Sequence, residues 1–457
     1  MTAVYYTLGV VIFVVAILVS IGLHEFGHLI PAKKFGGKVT QWFVGFGPTV
    51  WSKQLGETEY GVKAIPLGGY VKIVGMLPPG ADELDEDREH PVYDEDGNRV
   101  IRLRRSNTGM FTQLISDARA AEEEHIKPGD EERLFYKLAW WKKVVVMAGG
   151  PTVNLLIAFF IFAPIFAFYG NPDPEEAVVS PVVDEVAPCI VPAAEDGRAC
   201  TAEELRNDPT PASQAGLEQG DEFVEFNGET ITGWKQLQRL IRANDDGVAE
   251  IVVLRDGERV TLTANTTVEL RPTSISDDTL VQVGFLGVVP VAEMRTGGVF
   301  YTLDRMGSMT VDTVQALGTL PVKVWGVAKA IVGAEERAQD SPVSIVGGGR
   351  FAGELASADD FPVGDKAISL LMLIAGFNFF IGMFNFVPLL PLDGGHIAGA
   401  LYEGVKRGVA RLLGRPDPGY VDVAKLLPVA YVMASVILVL GVVLIVGDLV
   451  VPLSLES

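Results

Sequence analysis

Hydrophobic positions along the 457 residues gather into four long runs, and the stretches between them differ in pattern. Residues 4–23 hold no charged side chain. At about 1.5 Å of rise per residue, a helix of that length reaches about 30 Å, the hydrocarbon thickness of a bilayer. Val144–Tyr169, Ile368–Val387 and Leu427–Val446 read the same way, so four membrane-spanning helices are expected. Residues 36–75 are instead rich in Gly and β-formers, as in Gln41-Trp42-Phe43-Val44-Gly45-Phe46-Gly47-Pro48. Short strands broken by Gly and Pro are expected there, as a small sheet or hairpin dipping into the membrane interface.

Residues 171–285 carry strand alternation and hydrophilic turns. Asn227-Gly228 and Asp256-Gly257 sit between alternating segments and predict two-residue hairpins, with an amphipathic helix over Trp234–Arg242. Residues 296–335 are apolar but interrupted by Asp304, Arg305, Asp312, Lys323, Lys329 and Glu335, which predicts an amphipathic helix or helix pair on the outer membrane surface. A Gly-rich loop is expected around Gly347-Gly348-Gly349. These shifts divide the chain into 1–35 (first span), 36–77 (β segment), 78–139 (acidic region of little periodicity) and 140–170 (second span). They continue as 171–290 (soluble insert), 291–366 (surface helices and Gly-rich loop), 367–400 (third span), 401–426 (basic loop) and 427–457 (fourth span).

Charge orients the spans. Lys33, Lys34 and Lys38 follow the first, Trp140-Trp141-Lys142-Lys143 precede the second, and Lys406, Arg407, Arg411, Arg415 and Lys425 follow the third. The positive-inside rule puts those ends in the cytoplasm and both termini outside. The first run lacks the basic leader and small-residue cleavage site of a signal peptide. The overall balance is acidic, net −21 with an isoelectric point near 4.7, which argues against nucleic acid as a partner. The acid of Asp82–Asp96 and Glu122–Glu132 reads as solvated surface. The insert's two cysteines, Cys189 and Cys200, are free to pair on the outer side, and the sequence leaves that open.

The chemistry lies at the inner end of the first run, where His24-Glu25-Phe26-Gly27-His28 forms an HExxH. In a helix, residues four apart share a face, so two imidazoles can hold Zn²⁺ while Glu25 acts as general base. A catalytic zinc takes a third protein ligand. The topology delivers Asp393 to the same membrane side, with His396 as rival. At Gly149-Gly150-Pro151 and Asn154, close helix packing is the simpler reading and a direct role for Asn154 the other.

Taken together, the HEFGH, the Gly-rich β segment, Gly149-Gly150-Pro151 with Asn154, the PDZ-like run Ala215–Asn227 and the segment Asn385-Phe386-Val387-Pro388-Leu389-Leu390-Pro391-Leu392-Asp393-Gly394-Gly395 resemble the site-2 protease family. The likeness is greatest to its bacterial one-PDZ members that cleave anti-sigma factors. The resemblance implies a polytopic α-helical membrane protein with four transmembrane helices, a membrane-associated β segment and an inserted extracytoplasmic α+β PDZ domain. It implies a zinc-dependent intramembrane endopeptidase of the bacterial cytoplasmic membrane, with its site near the cytoplasmic side. His24, His28 and Asp393 would be ligands and Glu25 the catalytic base. Asn385 would hold substrate backbone or a developing oxyanion, and Pro388 and Pro391 would shape the segment. Implied partners are the lipid bilayer and transmembrane substrates such as anti-sigma factors. A non-enzymatic scaffold or chaperone using the PDZ domain is the competing reading.

Overall fold

The structure is a computed structural model that describes residues 2–78, 92–93, 99–100, 110–123, 126–173, 177–193, 198–245, 247–274, 277–358 and 362–453. Most of the expected acidic stretch Asp82–Asp96 lies outside these residues. In order, the chain forms α1 (Thr2–Lys34), β1 (Val39–Leu55), β2 (Thr58–Ile73), α2 (Met110–Glu123) and α3 (Trp140–Phe168). Next come β3 (Val178–Val186), α4 (Pro211–Ala215), β4 (Glu222–Phe226), β5 (Glu229–Thr230) and α5 (Trp234–Ala243). These are followed by β6 (Gly247–Arg255), β7 (Glu258–Ser274), β8 (Asp277–Phe285) and β9 (Val288–Glu293). The chain ends with α6 (Val299–Ile331), α7 (Ile345–Ser357), α8 (Val363–Asn385), α9 (Asp393–Leu412) and α10 (Leu427–Val450). Two compact units result, Met1–Ala163 with Phe300–Ser457, and Pro164–Val299.

In the first unit, α1, α3, α8 and the segment Val423–Val450 containing α10 are long and apolar enough to cross a membrane, as the four runs predict. The α1 and α3 backbones touch. A Cβ on Gly27 would lie 2.4 Å from the Gly149 carbonyl oxygen, and one on Gly149 1.9 Å from that of Gly27. The small residues thus serve close packing, which brings α3 against the HExxH face.

The triglycine segment departs from expectation, because it is the first turn of α7 and not a loop. Ser344 caps the helix by accepting the Val346 N–H, and Asp448 accepts the N–H groups of Ser344 (2.7 Å) and Gly347 (3.2 Å). A capping hydroxyl and an anion at the positive end of the helix outweigh the low helix propensity of glycine. The bare face then packs tightly: a Cβ on Gly348 would lie 2.4 Å from Phe377 and 2.9 Å from Phe13. Within 296–335 the chain forms one continuous helix, α6, the single-helix form of the expectation, with Pro321 inside it. The third span stops at Asn385, close to its expected end, but α9 restarts at Asp393 and makes the first half of the expected basic loop helical.

Strands β1 and β2 run longer than expected because glycines bend them without ending them. Residues 41–44 pair on one side with 69–72 and on the other with 59–62, while 51–55 pair with 58–62. The lateral order is therefore 51–55, 58–62, 41–44, 69–73, with 69–73 on an edge. Positive φ at Gly45, Gly47 and Gly68 supplies the turns of this folded ribbon. The acidic stretch Glu122–Glu132 is not simply solvated. Asp130 is buried against Lys38, and Glu122 accepts backbone hydrogen bonds.

The second unit has a seven-stranded antiparallel sheet in the order β8-β7-β6-β4-β3-β9, with β5 hairpinned to β4. Its core joins Phe223, Phe226, Ile251 and Val253 to Leu237 and Ile241 on one face of α5. Both predicted hairpins are present. Asn227-Gly228 and Asp256-Gly257 have positive φ at both positions (50° and 78°, 51° and 85°), as a type I′ turn requires. Cys189 and Cys200 form a disulfide. Asp221 is fully buried and held by the Arg255 guanidinium through two 2.8 Å bonds and by the Glu218 N–H at 2.9 Å. Burial opposes its charged form, but these bonds outweigh it and hold its pKa below the usual carboxylate range.

Candidate active site

The four-residue spacing of His24 and His28 on α1 turns both rings toward α3 and the start of α9. Their Nε2 atoms stand 3.2 Å apart, and each is 3.3 Å from Oδ2 of Asp393. The other ring nitrogens are engaged. His28 Nδ1 donates to the Val146 carbonyl at 2.8 Å, and His24 Nδ1 lies 3.2 Å from Asn154 Oδ1. With Nδ1 carrying the proton, Nε2 is left as an electron-pair donor aimed at the common centre.

This donor set fits zinc. Tetrahedral coordination with bonds of about 2.0–2.1 Å separates its ligands by roughly 3.3 Å, matching all three distances. These three side chains form one cluster of potential metal donors. The centre is also kept open from the α3 side: a Cβ on Gly150 would lie 2.2 Å from His28 Nε2 and 2.7 Å from His24 Nε2. Gly150 and the bond from Asn154 escape a reading by motif, which offers packing as the simpler account of both. The sequence signal is the motif Gly149-Gly150-Pro151 with Asn154, which leaves a direct role for Asn154 as the alternative to packing.

Asp393 reaches the centre because α8 ends at Asn385 and the chain turns back on itself. A Cβ on Gly394 would lie 2.1 Å from the Val387 carbonyl, and one on Gly395 2.6 Å from the Leu390 nitrogen. Only glycines let the first turn of α9 press against that segment. His396 lines the adjoining cavity but is not in the donor cluster.

The cavity measures about 420 Å³ and is also lined by Ile21, Glu25, Gly68, Gly69, Tyr70, Val71, Met76, Asn385 and Pro391. Glu25 is buried on its wall, and a Cβ on Gly69 would lie 3.0 Å from its Cγ, so segment 69–73 faces the HExxH glutamate. Asn385 donates to its own helix at the Ile381 carbonyl (3.1 Å) while lining the cavity. Pro388 is exposed and lies outside the lining.

The profile of peptidase family M50 matches residues 12–412. The chain belongs to this family. It is 31% identical over 462 aligned residues to the zinc metalloprotease Rip1 of Mycobacterium tuberculosis, covering 98% of each chain. It is 32% identical over 460 residues to Rip1 of Mycolicibacterium smegmatis, again covering 98% of each. To the zinc metalloprotease RasP of Bacillus licheniformis it is 23% identical over 429 residues, covering 87% of this chain and 90% of that one. M50 peptidases are the site-2 proteases, intramembrane metalloproteases that use zinc, so this chain is an enzyme with zinc as cofactor.

Proposed function

We propose that this M50 peptidase hydrolyses a peptide bond within or beside the transmembrane segment of membrane proteins, with single-span anti-sigma factors already cut outside the membrane as the substrate class. One observation carries the reading: a triangle of zinc donors, a buried glutamate and a strand edge with no further strand partner among the described residues share one cavity among helices of membrane length. In this reading His24, His28 and Asp393 hold the zinc, which supplies Lewis acidity and lowers the pKa of a water toward about 7.

Glu25 is placed to take a proton from a water attacking the scissile carbonyl and to deliver it to the amine nitrogen as the C–N bond breaks. The bonds of Val146 and Asn154 hold the two imidazoles in the ligand tautomer throughout. A peptide in a helix hides its carbonyls in i→i+4 bonds, so the substrate must first unwind. Segment 69–73 offers the unwound stretch a strand to pair with, directly beside Glu25. Asn385 has a second amide proton to offer substrate backbone. Pro391 shapes the opposite wall, and Pro388 the turn before it.

The second unit is read as an extracytoplasmic PDZ-type domain that selects substrates, on the strength of the Ala215–Asn227 pattern and the edge strand β9. Both termini lie outside, with the site near the cytoplasmic face of the bacterial membrane. The test compares wild type with Glu25→Gln on a single-span reporter substrate while measuring bound zinc. Zinc is retained and cleavage falls by about 10²–10⁴-fold, the range of general acid–base contributions. Equal cleavage by both proteins refutes the role of Glu25, and zinc-independent binding without cleavage by either would favour a scaffold.

A further inference from the structure

The acidic region between the β segment and α3 has no counterpart in the catalytic motifs, yet it reaches the active-site wall. Oε1 of Glu122, near the end of α2, accepts the backbone N–H groups of Gly75 (2.8 Å) and Met76 (3.0 Å). Gly75 has φ +78°, and with this backbone twist two successive N–H groups can converge on one anion. The carbonyls of the same turn are also taken: Phe135 donates to Val74 and Tyr136 to Gly75, both at 2.9 Å. Leu134 sits beneath, where a Cβ on Gly75 would approach it to 2.7 Å. The turn is therefore clasped on the carbonyl side by residues 134–136 and on the N–H side by Glu122.

This turn ends the edge segment 69–73. Val71, Ile73 and Met76 all lie on the cavity wall with Glu25, and a Cβ on Gly69 would lie 3.0 Å from the Glu25 Cγ. Helix α2 is itself anchored one turn before Glu122, where Arg119 pairs with Asp422 at 2.7 Å just before the last span. We infer that Glu122 is a positioning residue for proteolysis: by clasping the Gly75–Met76 turn it holds the substrate-facing strand in register with Glu25 and the metal ligands. Arg119 acts through it by fixing α2. This rests on the proposed pairing of substrate with segment 69–73.

Misplacing a reacting group by about 1 Å costs on the order of 10²-fold. The carbonyl-side clasp and Leu134 remain in a Glu122 variant, so the loss falls on the aim of the strand and leaves the fold in place. The full-length protein is assayed in proteoliposomes on a single-span reporter, with kcat, KM, the position of the cut by mass spectrometry, zinc content and thermal midpoint measured together. Glu122→Ala lowers kcat/KM by about 10–100-fold and spreads the cut over neighbouring bonds, with zinc content unchanged. Glu122→Gln keeps an acceptor oxygen and restores a single cut, and Arg119→Ala behaves as a weaker Glu122→Ala.

The inference is overturned if Glu122→Ala cuts the same bond with kcat/KM within twofold of wild type. It is overturned equally if its loss only parallels a fall in zinc or in thermal midpoint. A Val71→Pro arm tests the strand reading separately. Wild-type cleavage in that variant overturns the pairing itself, whereas its loss beside a normal Glu122→Ala overturns only the role of Glu122.

Discussion

Replacing Gly150 by Ala adds one methyl group to the protein at the point where the two imidazoles meet. The new Cβ would stand 2.2 Å from His28 Nε2 and 2.7 Å from His24 Nε2, against an ordinary contact of about 3.4 Å. His28 must retreat by about 1.2 Å or α3 must move away. A retreat of that size exceeds the roughly 0.2 Å tolerance of a metal–ligand bond several-fold. Moving α3 instead opens the Gly27–Gly149 contact and lengthens the bonds that Asn154 and Val146 make to the rings, so either response loosens the donors.

With about 10–16 kcal/mol for a four-ligand zinc site, one ligand is worth about 3 kcal/mol, or roughly 100-fold in affinity. Gly150→Ala therefore loses zinc to a chelator at a concentration about 100-fold lower than wild type does, and loses cleavage with it. Metal content by mass spectrometry across a chelator series gives the affinity, and circular dichroism shows that the helices persist. A variant holding zinc on the wild-type chelator curve would refute the reasoning.

Two more outcomes follow from hydrogen-bond partners. Asn154→Ala frees the His24 ring and weakens zinc binding by about 10–100-fold, the usual cost of losing a partner of a metal ligand; an unchanged chelator curve would show that Asn154 only packs. In the second unit, the folded-state pKa of Asp221 is depressed, so its stabilising contribution is present above the unfolded value of about 3.9 and is lost as pH falls through the folded one. Asp221→Asn, which breaks a largely buried pair worth about 3 kcal/mol, speeds amide exchange in β6 by on the order of 100-fold at pH 6. The gap from wild type narrows below about pH 4, and equal protection of the two proteins at pH 6 would count against it.

Much of this architecture is legible along the chain because its causes are local. A run such as 4–23 needs no distant partner to be apolar, and the two Asn/Asp-Gly pairs dictate their turns through positive φ alone. His24 and His28 share a face by helical period. The failures lie where local preference meets a distant group. Three consecutive glycines read as a loop, yet Ser344 and Asp448 make them a helix start. Glycines in 36–75 read as breaks between strands, but the ribbon folds across them. Helix α2 left too little periodicity to find, and Glu122 read as solvated acid until its partners, 46 and 47 residues away in sequence, were in view.

The sequence by itself determined the spans, the turns and two of the converging donors, since each depends on neighbours within a turn or two. Tertiary structure decided the rest. The sequence favours Asp393 over its rival His396 by topology and resemblance, but the geometry that brings Asp393 to the histidines depends on how Gly394 and Gly395 close against Val387 and Leu390. Only the folded chain shows that Gly150 keeps room beside the imidazoles and that Asn154 and Val146 aim them. Those contacts join α1 to α3 across more than a hundred residues, and no local preference encodes a distance of that kind.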